Sequence, residues 1–186
     1  MWLPRTNDTP AEAERYLDLT LLPEVADPGL EIERKFVLRE RPPWLDEHPT
    51  VEIEQGYLAI VEGETEVRLR RKDGQTLLTV KRGTGEVRGE QEVELHKDQF
   101  AALWPLTEGR RVTKRRYQVP HDDLTIEVDV FEGALRGMLL GEVEFDSEAA
   151  SKAFEAPAWL GDEVTGDARY ANESLALRGA PQQGAG

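Results

Sequence analysis

The chain has 186 residues, the size of one domain, and carries Lys+Arg 23 against Asp+Glu 37, a formal net charge of −14. That acid excess argues against a nucleic-acid coat or an anionic-membrane binder, because phosphate contacts need a basic surface. With Cys 0 there is no disulfide framework, no thiolate nucleophile and no Cys-ligated zinc, and no run approaches the roughly 18 apolar residues of a spanning helix.

Residues 1–28 hold Pro4, Pro10, Pro23 and Pro28 and read as an N-terminal extension, either disordered or carrying a short helix over Ala11 to Leu19. The first residues lack the apolar core of a signal peptide, so a soluble, cytoplasmic protein is expected. Turn signals at Arg41-Pro42-Pro43, Gly63, Asp73-Gly74, Gly83-Thr84-Gly85, Pro120, Gly133 and Gly137 then divide the chain. The period-two stretches between them predict strands at 30–39, 51–61, 65–72, 75–82, 86–95, 111–119, 123–131 and 139–146. Hairpin-length turns link most of them, which suggests one antiparallel sheet or barrel, a mainly β (α+β) fold. Asp98 is placed to cap a helix over Gln99 to Leu106, Ser147 to cap Glu148 to Phe154, and a last helix is expected from about Asp167 to Leu177. The tail, 179–186, has little to bury and is expected to be disordered.

Charge alternates along these strands. Glu31, Glu33 and Lys35 share one face of the first, Arg68 and Arg70 one face of the third, and Lys81 follows on the fourth. Further pairs are Glu92/Glu94, Lys114/Arg116, Glu127/Asp129 and Glu142/Glu144. A solvated face usually mixes polar residues, whereas same-sign doublets repel unless opposite charge lies between them. A sheet closed with this face inward, its apolar outer side covered by the three helices, resolves the conflict. Basic groups would then grip a polyanion and carboxylates would hold hard divalent cations. The interior of such a barrel is narrow, so the ligand is small and elongated: a polyphosphate with Mg²⁺ or Mn²⁺. His48, His96 and His121 show no metal-ligand spacing and read as surface residues.

The phrase Glu31-Ile32-Glu33-Arg34-Lys35-Phe36 resembles the ExExK signature of the CYTH superfamily, the triphosphate tunnel metalloenzymes. The resemblance continues in order through Gln55-Gly56-Tyr57-Leu58, Arg68-Leu69-Arg70, Thr79-Val80-Lys81, Glu92-Val93-Glu94, Lys114-Arg115-Arg116-Tyr117, Glu127-Val128-Asp129, Glu142-Val143-Glu144 and Arg169-Tyr170-Ala171-Asn172, covering about residues 29–178. It implies a closed eight-stranded antiparallel barrel and hydrolysis of a triphosphate with Mg²⁺ or Mn²⁺. Gln55-Gly56-Tyr57-Leu58, Trp104-Pro105-Leu106-Thr107-Glu108-Gly109-Arg110-Arg111 and Trp159-Leu160-Gly161-Asp162-Glu163-Val164-Thr165 are similar to the bacterial inorganic triphosphatase branch.

On that resemblance Lys35, Arg68, Arg70, Lys81, Lys114, Arg116 and Arg169 bind the phosphates, with Arg169 on the last helix at one tunnel mouth. Glu142, Glu144 and Asp129 ligate a metal, while Glu31 and Glu33 hold a second and orient the attacking water. Tyr57 and Lys81 match a catalytic dyad of thiamine triphosphatases, and Glu92, Glu94 and Glu127 line the wall. A nucleoside or thiamine triphosphatase, a class IV-type adenylate cyclase and a non-enzymatic polyphosphate-binding module are the competing readings. Glu31 and Glu33 speak against the module, and the absence of a base-binding aromatic cluster speaks for inorganic triphosphate. The expected partner is a small-molecule triphosphate, with no nucleic acid and no membrane, on a monomer or homodimer.

Overall fold

Each strand expected from alternation forms, most within two residues of its expected ends. They are β1 (Ile32–Val37), β2 (Thr50–Val61), β3 (Thr65–Lys72), β4 (Gln75–Arg82), β5 (Gly89–Glu94), β6 (Arg111–His121), β7 (Leu124–Phe131) and β8 (Leu139–Phe145), joined by a two-residue β9 (Asp162–Glu163). The computed structural model describes residues 32–61, 65–82 and 89–181. The expectations for residues 1–28, for the strand start at 30–31 with Glu31, for the turn at Gly63, for the turn at 83–85 and strand start at 86–88, and for the tail from 182 fall outside the described residues. Asp73 and Gly74 both take positive φ, 48° and 80°, the backbone that a tight hairpin between β3 and β4 requires.

The strands make one antiparallel sheet in the order β5-β4-β3-β2-β6-β7-β8-β1-β9. This is the mainly β fold expected, with two differences. There is a ninth strand, since Phe36 and Val37 pair with Glu163 and Asp162. Among the described residues the ladder also ends at β5 and β9 instead of closing by hydrogen bonds.

One face is apolar. Phe36, Leu38, Tyr117, Val119, Ile126, Val128, Leu139, Val143 and Phe145 form a buried cluster with Leu45 and Leu160, flanked by Trp44, Phe154 and Trp159. Leu69 is also buried on this outer side. Its cover is only partly the three helices expected. Helix α1 (Lys97–Leu103) begins at His96, which caps it with Gln99 in a reciprocal pair, rather than at Asp98. Helix α2 (Glu148–Ala153) is capped by Ser147 as expected and packs against β1 and β8. Helix α3 (Asn172–Arg178) is shorter than expected, because residues 168–170 turn separately as a 3-10 helix. It also lies on the opposite side of the sheet: Leu175 packs with Val112, Phe131 and Leu140, which alternate onto the charged face. No described helix is long and apolar enough to cross a membrane.

Candidate active site

Register assembles the charged residues on one face. Across β3, β4 and β5, Arg68 is opposite Thr79 and Thr79 opposite Glu92, while Glu66, Lys81 and Glu90 form the next row. Across β6, β7, β8 and β1, Arg116 is opposite Asp129, Glu127 opposite Glu142, and Glu142 opposite Lys35. Most of these side chains are hidden from solvent: Lys114 is 2% and Asp129 0% exposed, and Arg116 and Glu142 are 9% and 8%. Charged groups this deep without a helical layer over most of their face mean that the sheet curls around them.

The doublets are answered by opposite charge within the protein. Arg116 is a hub: its Nε and Nη2 donate to Asp129 at 2.7 Å each, Nη2 also reaches Glu142 at 2.5 Å, and Nη1 meets Glu127. Lys35 Nζ lies 2.9 Å from Glu142 and 3.6 Å from Glu33. Burial works against every one of these charges. Even so, Lys35, Arg116 and Lys114 together hold the Glu142 carboxyl well below its ordinary pKa, and Glu142 with Glu33 holds Lys35 above its own. Lys114 is shifted the other way: burial lowers its pKa despite the 2.5 Å bridge to Asp129.

The β3–β5 half is less complete. Arg68 approaches Glu66 and Glu90 only at 3.4 and 3.5 Å, and Arg70 approaches Glu92 at 3.9 Å. The Nε donors of both arginines are buried with no acceptor among the described residues. Burial, with Arg68 and Arg116 nearby, lowers the Arg70 pKa. Two guanidiniums held this way have donor capacity to offer an anion.

Other expected residues fall as follows. Tyr57 is fully buried opposite Arg68, and its hydroxyl accepts from Gln55 Nε2 at 2.9 Å. Burial and then Glu66 push its pKa upward, so it stays protonated. Lys81 pairs with Glu90 one row away, so the register gives the two residues of the expected dyad different nearest partners. Arg169 is not on the last helix. It sits in the preceding 3-10 turn, 65% exposed, and clasps Asp167 at 2.6 Å. Glu92 accepts from Thr79 Oγ1 at 2.8 Å, and Glu94 lies further along β5, exposed. His48 packs edge-on to Trp44 and His121 edge-on to Phe154.

Glu66 and Glu90, not singled out from sequence, also belong to the site, as do Gln55 and Asn172, which the sequence named only within phrases that carry the resemblance. The signal for Glu90 was present, since it continues the Glu92/Glu94 alternation by one step. Asn172 stood in the Arg169-Tyr170-Ala171-Asn172 phrase, but its partner did not follow from sequence: its Oδ1 accepts from Lys114 Nζ at 3.4 Å, which depends on where α3 docks.

Glu33 and Glu144 stand opposite each other across β1 and β8, both exposed, at the outer end of this face. Among the described residues no three His, Asp or Glu side chains already form a metal cage. The donor chemistry nonetheless suits a hard divalent cation. Glu33 and Glu144 offer carboxylate oxygens, and among the described residues the face has more carboxylates (Glu33, Glu66, Glu90, Glu92, Glu94, Glu127, Asp129, Glu142, Glu144) than the cations Lys35, Arg68, Arg70, Lys81, Lys114 and Arg116. A polyanion entering it needs added positive charge.

A curled sheet whose two buried arginines await an anion has counterparts among known proteins. An inorganic triphosphatase of Nitrosomonas europaea is 46% identical over 149 residues, covering 79% of this chain and 97% of the relative. One of Acetivibrio thermocellus is 35% identical over 149 residues, covering 79% and 93%. A crystal structure of an inorganic triphosphatase superposes with a TM-score of 0.64 at 43% identity, covering 81% of this chain and 97% of the other. The CYTH domain model matches residues 29–180, the stretch that builds the sheet, its charged face and α3, and the chain belongs to the CYTH domain family.

Proposed function

We propose that this chain hydrolyses inorganic triphosphate to pyrophosphate and phosphate on the charged face, with Mg²⁺ or Mn²⁺ as cofactor. The observation that carries the reading is the pair of buried Nε donors of Arg68 and Arg70, which have no acceptor among the described residues. Two similar relatives and a similar crystal structure bear the name inorganic triphosphatase, which supports the substrate. Phosphoryl transfer asks the protein mainly for positioning and charge neutralisation. Arg68 and Arg70 bind the phosphate oxygens, and Lys35, Lys81, Lys114 and Arg116 offset their charge. Tyr57 keeps its proton and supports Arg68. Glu33 and Glu144, with Glu31, would hold the metal, which when bound would supply positive charge to the phosphates and acidify water. Glu33 orients the attacking water. Asp129 and Glu142, tied to Lys114, Arg116 and Lys35, position those cations.

A phosphate-release screen tests this. Purified protein is offered triphosphate, ATP, thiamine triphosphate and longer polyphosphate with Mg²⁺, Mn²⁺ or chelator. Triphosphate is expected to be cleaved fastest, and chelator to abolish release. Cyclic AMP formed from ATP while triphosphate stays intact would overturn the reading.

A further inference from the structure

The arginines of β3 differ from other inner cations in what stands across from them. Arg70 is opposite Gln55 on β2 and Leu77 on β4, and Arg68 is opposite Tyr57 and Thr79. All of these neighbours are neutral. Arg116, by contrast, is opposite Asp129, and Lys35 is opposite Glu142. Directly opposed side chains have Cβ atoms about 4.5–5.5 Å apart, so a carboxylate at position 55 or 77 would reach the Arg70 guanidinium. The polar neighbours are also engaged elsewhere. Gln55, 2% exposed, gives its Nε2 to the Tyr57 hydroxyl at 2.9 Å. Thr79 Oγ1 donates to Glu92 Oε1 at 2.8 Å, and that same oxygen stays 3.9 Å from Arg70 Nη1. The buried Nε of Arg70 is then left with no acceptor among the described residues. A buried unmet donor costs stability, and a glutamate at position 55, the same size as glutamine, would supply the acceptor. The chain has the amide there instead.

We infer that Gln55 is a positioning residue for substrate binding: a neutral spacer that holds Tyr57 and keeps carboxylate away from Arg70, so that the guanidinium is reserved for a phosphate group. This rests on the triphosphatase reading and adds to it the residue that keeps the anion site vacant of internal anions. Gln55 acts through Arg70 and not by touching substrate. Its amide satisfies the Tyr57 oxygen without bringing a negative charge to the one flank of Arg70 where such a charge would form a forked, hydrogen-bonded pair. A substrate would have to break that pair before it could bind.

Steady-state kinetics with triphosphate, with thermal melts throughout, test this in Gln55→Glu, Leu77→Glu and Gln55→Met, and in Gln55→Glu combined with Arg70→Ala. Gln55→Glu and Leu77→Glu each put a carboxylate on one flank of Arg70 and should raise KM by about tenfold or more, the worth of a charged hydrogen bond that substrate must break. Gln55→Glu should melt no lower than the unaltered chain, because the new pair meets the unmet donor. Gln55→Met keeps length and neutrality and should raise KM far less. A merely structural role would instead lower the melting temperature in both changes at position 55 and damage them alike. In the Arg70→Ala background Gln55→Glu should add little further to KM, since its target is gone. An unchanged KM in folded Gln55→Glu, or in Leu77→Glu should the first not fold, overturns the assignment. So do equal losses in Gln55→Met and Gln55→Glu, full additivity with Arg70→Ala, or failure of both glutamate variants to fold. If the unaltered chain cleaves no triphosphate, it is the proposed function that falls. Calorimetric binding of triphosphate to the same variants then reads the role of Gln55 without turnover, and equal affinity in all of them, or no binding to the unaltered chain, overturns it.

Discussion

Arg116 and Arg70 point from the same face and have opposite surroundings. Arg116 holds three carboxylates, whereas among the described residues Arg70 has one distant partner and a buried Nε with no acceptor. Arg70→Ala should therefore leave the fold standing while raising KM and lowering kcat, because the lost fork acts on bound substrate and transition state alike. Glu33→Gln keeps its size and should depress mainly kcat, by about 10²-fold, typical for loss of a positioning or electrostatic group. Steady-state kinetics with melts as control separates the two, and near-normal turnover by Glu33→Gln at saturating metal would remove its assigned role. Glu142 makes a pH prediction. Its folded pKa lies well below the ordinary 4.5, so its contribution to stability is complete above about that pH and is lost as the pH falls toward the folded value. Unfolding free energy measured from pH 7 to 3 should decline below about 4.5, and more shallowly in Glu142→Gln. Equal slopes would show that other carboxylates carry the acid sensitivity.

At the scale of elements, the phrase Gln55-Gly56-Tyr57 shows how the outer layer steers the inner face. Gln55 and Tyr57 point inward, and Gly56 points to the segment after α1, where a Cβ would lie 2.6 Å from Thr107 Cβ. The Tyr57 amide donates to the Arg110 carbonyl at 3.0 Å, and the Arg110 guanidinium reaches the Leu58 carbonyl at 3.3 Å, beside the irregularity between Tyr57 and Ala59. Gly56→Ala should cost about 1–3 kcal/mol by overpacking. Combining it with Thr107→Gly should cost less than the two separate losses added together, and denaturant melts measure that coupling. Strict additivity would mean that the contact does not matter. Strand positions and the charged face were legible because alternation is a local property, as in Arg68-Leu69-Arg70, and because Asp73-Gly74 announces its turn. The docking of α3 was not. An apolar stripe such as Leu175 and Ala176 says that a helix packs, not which side of a sheet it packs on. The cap of α1 moved from Asp98 to His96 because the reciprocal bonds with Gln99 outcompete a carboxylate two residues later.

Over the whole molecule, the formal charge of −14 means that an anionic substrate approaches against the long-range field. At fixed free Mg²⁺, kcat/KM for triphosphate should rise as inert salt is raised toward about 0.1 M, where the screening length shrinks to ~10 Å. A fall would show that the local field of the inner cations governs encounter instead. The ladder, which among the described residues ends at β5 and β9, has a separate consequence. A sheet that ends leaves two rows of unpaired backbone groups, at which another chain could add a strand and begin to aggregate. Here β9 presents two residues, too short to seed a partner, and Glu163 is tied back by Arg34 at 2.6 Å. At the other edge β5 alternates Glu90, Glu92 and Glu94, so an incoming strand would bring its side chains against three carboxylates. The carboxylates that line the interior also keep the sheet from growing.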